Sequence, residues 1–578
     1  MSSQEDGEIS SPEITAIGIS FGNSNSSIAY TSGEGKAEVI ANEEGDRQIP
    51  SVLSYIEGEE YHGTQAKSQL VRNSRNTIAY FRDYLGKDFD SIDPTPCHAS
   101  AHPQKHESTI AFSVQDKESE AQNIVTVSEI TTRHIRRLAS SASDFLGKSV
   151  NAAVITVPTN VTDEQREALS EAAKAAGVDV LQMISEPTAA VLAYDARPEA
   201  ILKDKIIVVA DLGGTRSDMA VVASRGGVYS ILSTSHDYET AGVQLDQVLI
   251  DHFAKEFIKK NKTDPRENER SLAKLKLEAE ATKKALSLGG NASCSVESLA
   301  DGIDFSSTIN RTRYELLAGK VFGAFTRLIE EAVRKADLDI LDVDEVILSG
   351  GTSHTPKISQ NLQRLFPPTT RILSPSTLPT AIDPSSLSAR GAAIQASLVQ
   401  EFEKEDIEQS THPMVTVTPH LRNAIGVMVV SEDVQKGLFS ALIEKETAVP
   451  CRRTGLFAVP REGGDVVVKI CEGLRDIKVS KKEKPKTNGK PASDDSDLDS
   501  DEDEDGDEEI REKVWKIGAV LAEAAVKGVK KGGKVEVTIK VEADLAVQVE
   551  AREAGGKGGV RGSLGKARVA ENGSAGSG

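Results

Sequence analysis

KIIVVADLGGTRSDMAVV, Lys205 to Val222, is the stretch that decides how this chain is read. The apolar run Ile206 to Ala210 reads as a buried strand. It stops at Asp211, turns through Gly213-Gly214 and resumes as a second strand from Met219. A strand that delivers a carboxylate into a glycine turn suits a nucleotide phosphate. Glycine lets backbone N–H groups approach the anion, and the carboxylate can hold magnesium through water. A Gly-Gly pair also makes an ordinary tight hairpin, so the motif needs company.

Company is present. Ile14 to Tyr30, ITAIGISFGNSNSSIAY, repeats the outline of strand, glycine turn with small polar residues, and strand. Gly350-Gly351 follows the strand Glu345 to Leu348, and Ala241-Gly242 lies within His236 to Asp246. Glycine turns in this order resemble the actin, sugar kinase and heat-shock-70 superfamily, whose duplicated lobes clamp ATP. The segments between the turns narrow the resemblance to the heat-shock-70 (DnaK-type) chaperones. They are NTIAYFRDYLG (Asn76 to Gly86), VITVPTNVTDEQREAL (Val154 to Leu169), SEPTAAVLAYD (Ser185 to Asp195), ADGIDFSSTINRTRYELL (Ala300 to Leu317) and SGGTSHTPKI (Ser349 to Ile358). The likeness runs from Ile14 to about residue 475 and again from Val535 to Arg552. It implies an α/β, actin-like two-lobed ATPase fold over 14–410, a linker at 411–420, and a truncated β-sandwich over 421–552 without the family's helical lid.

Composition sets bounds around that frame. A chain of 578 residues with 38% hydrophobic residues holds several domains with sizeable cores. No apolar run reaches 18 residues and no signal-peptide pattern opens the chain, so a cytoplasmic protein with neither membrane nor direct nucleic-acid partner is expected. Net charge is −21, but Asp494 to Glu509 alone carries twelve acidic residues and no basic one, so the remainder is near −9. Cys97, Cys294, Cys451 and Cys471 lack metal spacing and read as reduced structural thiols. His98, His102 and His106 fall four apart, but Pro103 breaks any helix there and a solvated loop is expected.

Along the chain, 1–13 reads as a disordered N-terminus. Ile130 to Leu146 is spaced as a helix ending at Gly147, and Thr162 to Gln165 is a capping box opening another. Ser271 to Leu288 reads as a charged amphipathic helix. In the linker, the family's acidic residue and leucines are matched by HPMVT, His412 to Thr416, which implies a fixed connector without nucleotide-driven switching. LIEKETAVP (Leu442 to Pro450) and VVVKICEG (Val466 to Gly473) resemble the first sandwich strands. Lys534 to Val541 and Leu545 to Glu550 resemble the last. Between them 478–509, basic then acidic, reads as a disordered insertion displacing the middle of the sandwich, with Ser496 and Ser500 in acidophilic-kinase context. A short helix is expected around Trp515 to Val526 and a flexible tail over 553–578.

Residue by residue, the family's nucleotide site maps to Gly22, Asn23 and Ser24 in the first turn and to Asp211, Gly213, Gly214, Thr215 and Arg216 in the second. Gly242 matches the clamp at the base, and Glu280, Lys283, Lys284 and Ser287 the adenine side. Gly350 and Gly351 match the third turn. The departures cluster at the γ-phosphate. The magnesium-organising aspartate is Ser20, the γ-phosphate lysine is Arg82, and a glycine-threonine pair is Thr215-Arg216. A bridging glutamate is Val243, the adenine-stacking arginine is His354, and an aspartate late in the domain is Ser385. Asp211 and Glu186 remain as magnesium candidates, and Arg216 can neutralise phosphate in place of that ion. Phosphoryl transfer rests on positioned charge, so this pattern points to ATP binding without turnover.

Within the family these departures resemble the atypical Ssz-type subunit of the fungal ribosome-associated complex. That likeness implies a stable heterodimer with the J-domain protein zuotin and ribosome association through it. It also implies stimulation of a second, active heat-shock-70 chaperone, with nascent polypeptide as a further candidate contact. An active peptide-binding chaperone is opposed by Ser20, Arg82 and the missing lid. A small-molecule kinase is opposed by the sandwich-like strands.

Overall fold

The computed structural model describes residues 15–400 except 93–99, 108, 116–122, 198, 199, 201 and 202. After positions 402 and 406 it describes 421–481 and 509–566 except 422, 432, 433, 446, 448, 460–462, 543 and 557. The expectations for 1–13, His98, the linker 411–420, Ser496 and Ser500 fall outside these residues. The chain divides into two compact units between Thr416 and Val417.

The first unit contains one architecture twice. In the first lobe, Ala16–Phe21 pairs antiparallel with Asn25–Thr31, which pairs antiparallel with Ala37–Ile40. On its other side it pairs parallel with Ala152–Val157, and that strand with Asp179–Ser185. In the second lobe, Lys205–Leu212 occupies the same central place. Ser217–Arg225 and then Val228–Asp237 are antiparallel on one side, and Glu345–Ser349 and then Arg371–Leu373 parallel on the other. The central strands read as unbroken apolar runs because helices cover both faces. Val208, Ala210 and Leu212 bury into one cluster of the second lobe, Ile207 and Val209 into another. The two strand–turn–strand copies seen in the sequence thus sit at equivalent places, each closing a hairpin beside a parallel pair.

The expected helices form. Val127–Leu146 opens on the capping box of Thr126 with Glu129 and ends on Gly147 at φ 64. Asp163–Ala175 opens on the box of Thr162 with Gln165. The charged amphipathic segment is the helix Glu269–Leu288.

One helix belongs to both lobes. Leu387–Val399 closes the second lobe in sequence, yet Ala392, Ala396 and Val399 cluster with Val154, and Ala389 and Ala393 with Ala29, all on the first sheet. Its approach is backbone to backbone. A Cβ on Gly391 would stand 1.9 Å from the Ala189 carbonyl oxygen, and one on Gly18 would stand 2.2 Å from the Ala393 nitrogen.

The second unit is a sandwich of two four-stranded sheets. Val434–Ile443, Ala424–Ser431, Gly464–Lys481 and Glu509–Val529 form one sheet in that order. Cys451–Ala458, Lys534–Val541, Ala546–Glu553 and Gly559–Lys566 form the other. Ile425, Val427 and Ile470 pack between the sheets against Val537, Ile539 and Val549.

Here the structure corrects the sequence reading in four places. The stretch taken as a short helix, Trp515 to Val526, lies within a strand that pairs along Gly464–Lys481 from Gly464↔Val529 to Lys481↔Glu509. Its Ala-rich composition favours a helix locally, but the ladder and the buried Ala524 and Val526 override that weak preference. Lys478 to Lys481, assigned to the insertion, are ladder residues. Gly559–Lys566, assigned to the tail, pairs with Ala546–Glu553 and places Val560 opposite Ala551 and Leu564 opposite Val547. The sandwich middle is therefore occupied, where displacement was expected. Among the described residues no helix follows the sandwich.

The glycine crossing gives a test. Gly391→Ala is expected to lower the stability of the first unit by about 1–3 kcal/mol, because the new methyl meets backbone that cannot step aside. Gly33→Ala, with nothing within 4 Å of its Cβ position, is expected to melt like the parent. Thermal denaturation of the two full-length variants checks this.

Candidate functional site

The glycine turns of the two lobes converge on one cavity. Its walls include Ser20, Gly22, Asn23, Ser24, Gln48, Arg82 and Glu186 from the first half of the unit, and Asp211, Gly213, Gly214, Thr215, Arg216 and Asp218 from the second. Ser349, Gly350, Gly351, Ser385 and Ser388 complete it. The residues the sequence assigned to the three phosphate turns are thus in one place, while Gly242 is not part of the wall. The turns touch directly: Asn23 Nδ2 donates to Thr215 Oγ1 at 3.0 Å, and a Cβ on Gly214 would stand 2.4 Å from Ser24 Oγ.

Backbone geometry orients these turns. The Gly213 carbonyl accepts from the Gly242 amide at 3.0 Å and from Thr352 Oγ1 at 2.9 Å, and the Gly214 carbonyl accepts from the Val243 amide at 2.9 Å. A trans peptide is planar with N–H opposed to C=O, so the Gly214 and Thr215 N–H groups point away from Gly242 and Thr352. Neither Gly242 nor Thr352 lines the cavity, so Gly242 acts from behind the turn. Ser51 does the same for the first turn: its Oγ donates to the Gly22 carbonyl at 2.7 Å and its amide to the Ser24 carbonyl at 3.0 Å. Gly350, at φ 80, donates its amide to the Pro384 carbonyl, and a Cβ there would stand 2.4 Å from the Leu212 carbonyl. Asn23 Oδ1 is buried without a hydrogen-bond partner. Glycine cradles plus an orphaned polar atom fit a phosphate chain.

Two guanidinium groups stand among three acids in the cavity wall. Arg82 Nε donates to Asp83 Oδ1 at 2.8 Å, and Nη1 reaches the Phe21 carbonyl at 3.2 Å and Glu186 Oε1 at 3.4 Å. Arg216 forks onto both oxygens of Asp218, donates Nη1 to the Tyr238 hydroxyl at 2.8 Å and Nη2 to Asn160 Oδ1 at 3.0 Å, and lies 4.8 Å over the Tyr238 ring. Burial, reinforced by the Asp211 charge, raises Glu186 well above the usual carboxylate range. Burial with Asp218 beside it raises Asp211. Burial pushes Asp218 the same way, but hydrogen bonds from His236 and Arg216 outweigh it and hold Asp218 low. Tyr238 and Asn160 reach Arg216, and His236 reaches Asp218, through the fold and carry no motif that spacing could flag; Asp83 is the chain neighbour of Arg82.

Magnesium fits this set poorly. It needs a near-octahedral oxygen shell. Asp218 is spent on Arg216 and on His236 Nδ1 at 2.6 Å, Glu186 faces Arg82, and Ser20 offers no carboxylate. Among the described residues no group of three or more His, Cys, Asp or Glu side chains is arranged to hold a metal ion.

The residues matched to the adenine side lie together on Glu269–Leu288 but not in the cavity wall. Lys67 Nζ donates to both oxygens of Glu280 at 2.8 and 2.7 Å, joining the first lobe to the second. Lys284 pairs with Glu280 at 2.8 Å. Lys283 Nζ donates to the Gly242 carbonyl at 3.0 Å and to Asp246 Oδ2 at 2.9 Å, and Ser287 Oγ to the Lys283 carbonyl. His354 Nε2 meets Ser385 Oγ at 2.8 Å and Asp383 Oδ1 at 3.1 Å. Lys67 was not legible in the sequence.

The comparisons with known proteins agree with this geometry. The family model described as "Hsp70 protein" matches residues 16–483. A heat shock protein 70 homologue of Schizosaccharomyces pombe is 44% identical over 556 residues, 95% of each chain. The "Ribosome-associated complex subunit SSZ1" of Saccharomyces cerevisiae is 40% identical over 549 residues, 95% of this chain and 99% of that one. "Heat shock 70 kDa protein 14" of Danio rerio is 34% identical over 391 residues, 67% of this chain and 75% of that one. This chain belongs to the Hsp70 family, a family of nucleotide-binding chaperones.

The interlobe pair supplies a prediction. Burial alone would raise Glu280, but Lys67 and Lys284 hold it far below the usual carboxylate range. A carboxylate depressed in the folded state contributes stability above its unfolded pKa, lost as pH falls through the folded value. Lys67→Met is therefore expected to cost about 1–3 kcal/mol at neutral pH. The gap from the parent should close progressively as pH falls below the ordinary carboxylate range, as read by urea unfolding at several pH values.

Proposed function

We propose that this protein is an ATP-binding, hydrolysis-deficient Hsp70-type cochaperone. It pairs stably with a J-domain protein of the zuotin kind, sits in the cytoplasm on the ribosome through that partner, and stimulates a second, active Hsp70 chaperone working on nascent chains. The observation that carries the nucleotide half is the cavity itself: glycine turns from both lobes survive, while the place of the catalytic carboxylate is Ser20. The partner half is supported by 40% identity, across nearly the whole chain, to a protein named as a ribosome-associated complex subunit.

The Gly22–Ser24, Gly213–Thr215 and Gly350–Gly351 turns would hold the phosphates through backbone N–H groups. His354, Ser385, Glu280, Lys283, Lys284 and Ser287 would flank the nucleoside. Bound ATP would supply a polyanion that both lobes grip. Hydrolysis would need a water held in line by a carboxylate-organised shell, and Ser20 cannot organise one. Arg82, drawn toward Asp83 and Glu186, is a planar fork and cannot replace a lysine point charge on a terminal phosphate. Loss of one preorganised electrostatic contact costs ~10²–10³ in rate, and two losses at one centre erase a slow reaction.

In a single-turnover assay with radiolabelled ATP, the purified protein is expected to bind nucleotide and release no phosphate above the protein-free blank. Phosphate release at the rate of a conventional Hsp70 would overturn the reading. Gly214→Asp, which drives a carboxylate into Ser24, is expected to abolish ATP binding yet leave the heterodimer intact on gel filtration. Recovery of the tagged full-length protein without a stoichiometric J-domain partner would remove the partner half.

A further inference from the structure

We infer that this site takes its nucleotide without a divalent cation, with Arg82 and Arg216 supplying the positive charge that magnesium would otherwise bring. The inference rests on the nucleotide-binding reading above.

A triphosphate brings about four negative charges into a cavity that already holds the carboxylates Glu186, Asp211 and Asp218, so binding requires cations nearby. The structure provides two. The side chains of Arg82 and Arg216 are 11% and 8% exposed, and both line the same cavity as the glycine turns. Neither is free to swing out to solvent. Arg82 is tethered at the Phe21 carbonyl, Asp83 and Glu186. Arg216 is tethered at Asp218, Tyr238 and Asn160. A guanidinium does not lose its proton in a protein, so this charge is permanent at any pH that leaves the fold intact.

The same two groups act against magnesium. A hydrated doubly charged ion would stand beside two fixed positive charges in a partly desolvated cavity, where like charges repel strongly. It would also have to strip carboxylates from guanidinium partners, since Asp218 is forked by Arg216 and Glu186 faces Arg82. The oxygen at Ser20 is a neutral hydroxyl, a poor substitute for a carboxylate in such a shell. Part of the charge compensation is thus built into the protein as side chains whose number and place are fixed. Asp218 then acts as counter-charge to Arg216 and Glu186 stays engaged by Arg82, neither standing free as a ligand of an ion.

The test is ATP binding by calorimetry to the full-length protein, stripped of nucleotide, in magnesium and in EDTA. Affinity in EDTA is expected to equal that in magnesium within about twofold, or to exceed it. Manganese added with ATP should give no protein-bound manganese–nucleotide signal by electron paramagnetic resonance. Arg216→Thr is expected to bind at least tenfold more weakly in EDTA than in magnesium. Its melting curve without nucleotide identifies a folding defect, and Arg82→Met provides a second variant with the same expected behaviour. Binding by the parent that is tenfold tighter with magnesium, or a manganese–nucleotide signal on the protein, overturns the inference and leaves the nucleotide reading standing. No binding in either buffer overturns the nucleotide reading and the inference together.

Discussion

The first unit depends on one contact between backbones. Leu387–Val399 crosses the helix Glu186–Asp195 where Gly391 meets the Ala189 carbonyl, and lies on the first sheet where Gly18 meets Ala393. A side chain at either glycine would hold the helix off by more than an ångström. Because that helix is the last element of the second lobe and packs on the first, it fixes the bases of both sheets together. The glycine turns at the tops of the two central strands then meet closely enough for Asn23 to reach Thr215. The site depends on small residues behind its wall, since the same helix carries Ser388 in the cavity lining.

Charge is placed in that site under strict pairing. A buried carboxylate or guanidinium is costly unless a partner compensates it. Asp218 accepts from Arg216 and His236, and Arg82 joins Asp83 to Glu186. A conventional phosphoryl-transfer site keeps its carboxylates ready for a metal and its water. Here two of the acids are engaged by arginines instead, Asp218 by Arg216 and Glu186 by Arg82. The lobes are joined again at Lys67 and Glu280, outside the cavity.

What was legible in the sequence had a local cause. Strand–turn–strand copies, capping boxes at Thr162 and the glycine end of Val127–Leu146 are each written in a few neighbouring residues. The residues of the three phosphate turns followed from motifs matched one by one and line one cavity, whereas Gly242 stands behind one of the turns. What was missed has long-range causes. Glu509–Val529 has a helix former's composition and becomes a strand because a partner strand lies beside it. Asn160 and Tyr238 hold Arg216 from 56 and 22 residues away, and Lys67 finds Glu280 across 213. No spacing rule reaches so far. The residues matched to the adenine side share a helix face but spend their polar atoms on one another and on neighbours, a detail only the fold reveals.

The ladder between Gly464–Lys481 and Glu509–Val529 runs to its last pair, Lys481 opposite Glu509. The 27 residues between them therefore leave and re-enter the sandwich at adjacent points. Closing a loop whose ends already meet costs only about 0.6 kcal/mol for each doubling of its length. The ladder therefore sets where that stretch begins and ends whatever its length, a property of the two strands that flank it.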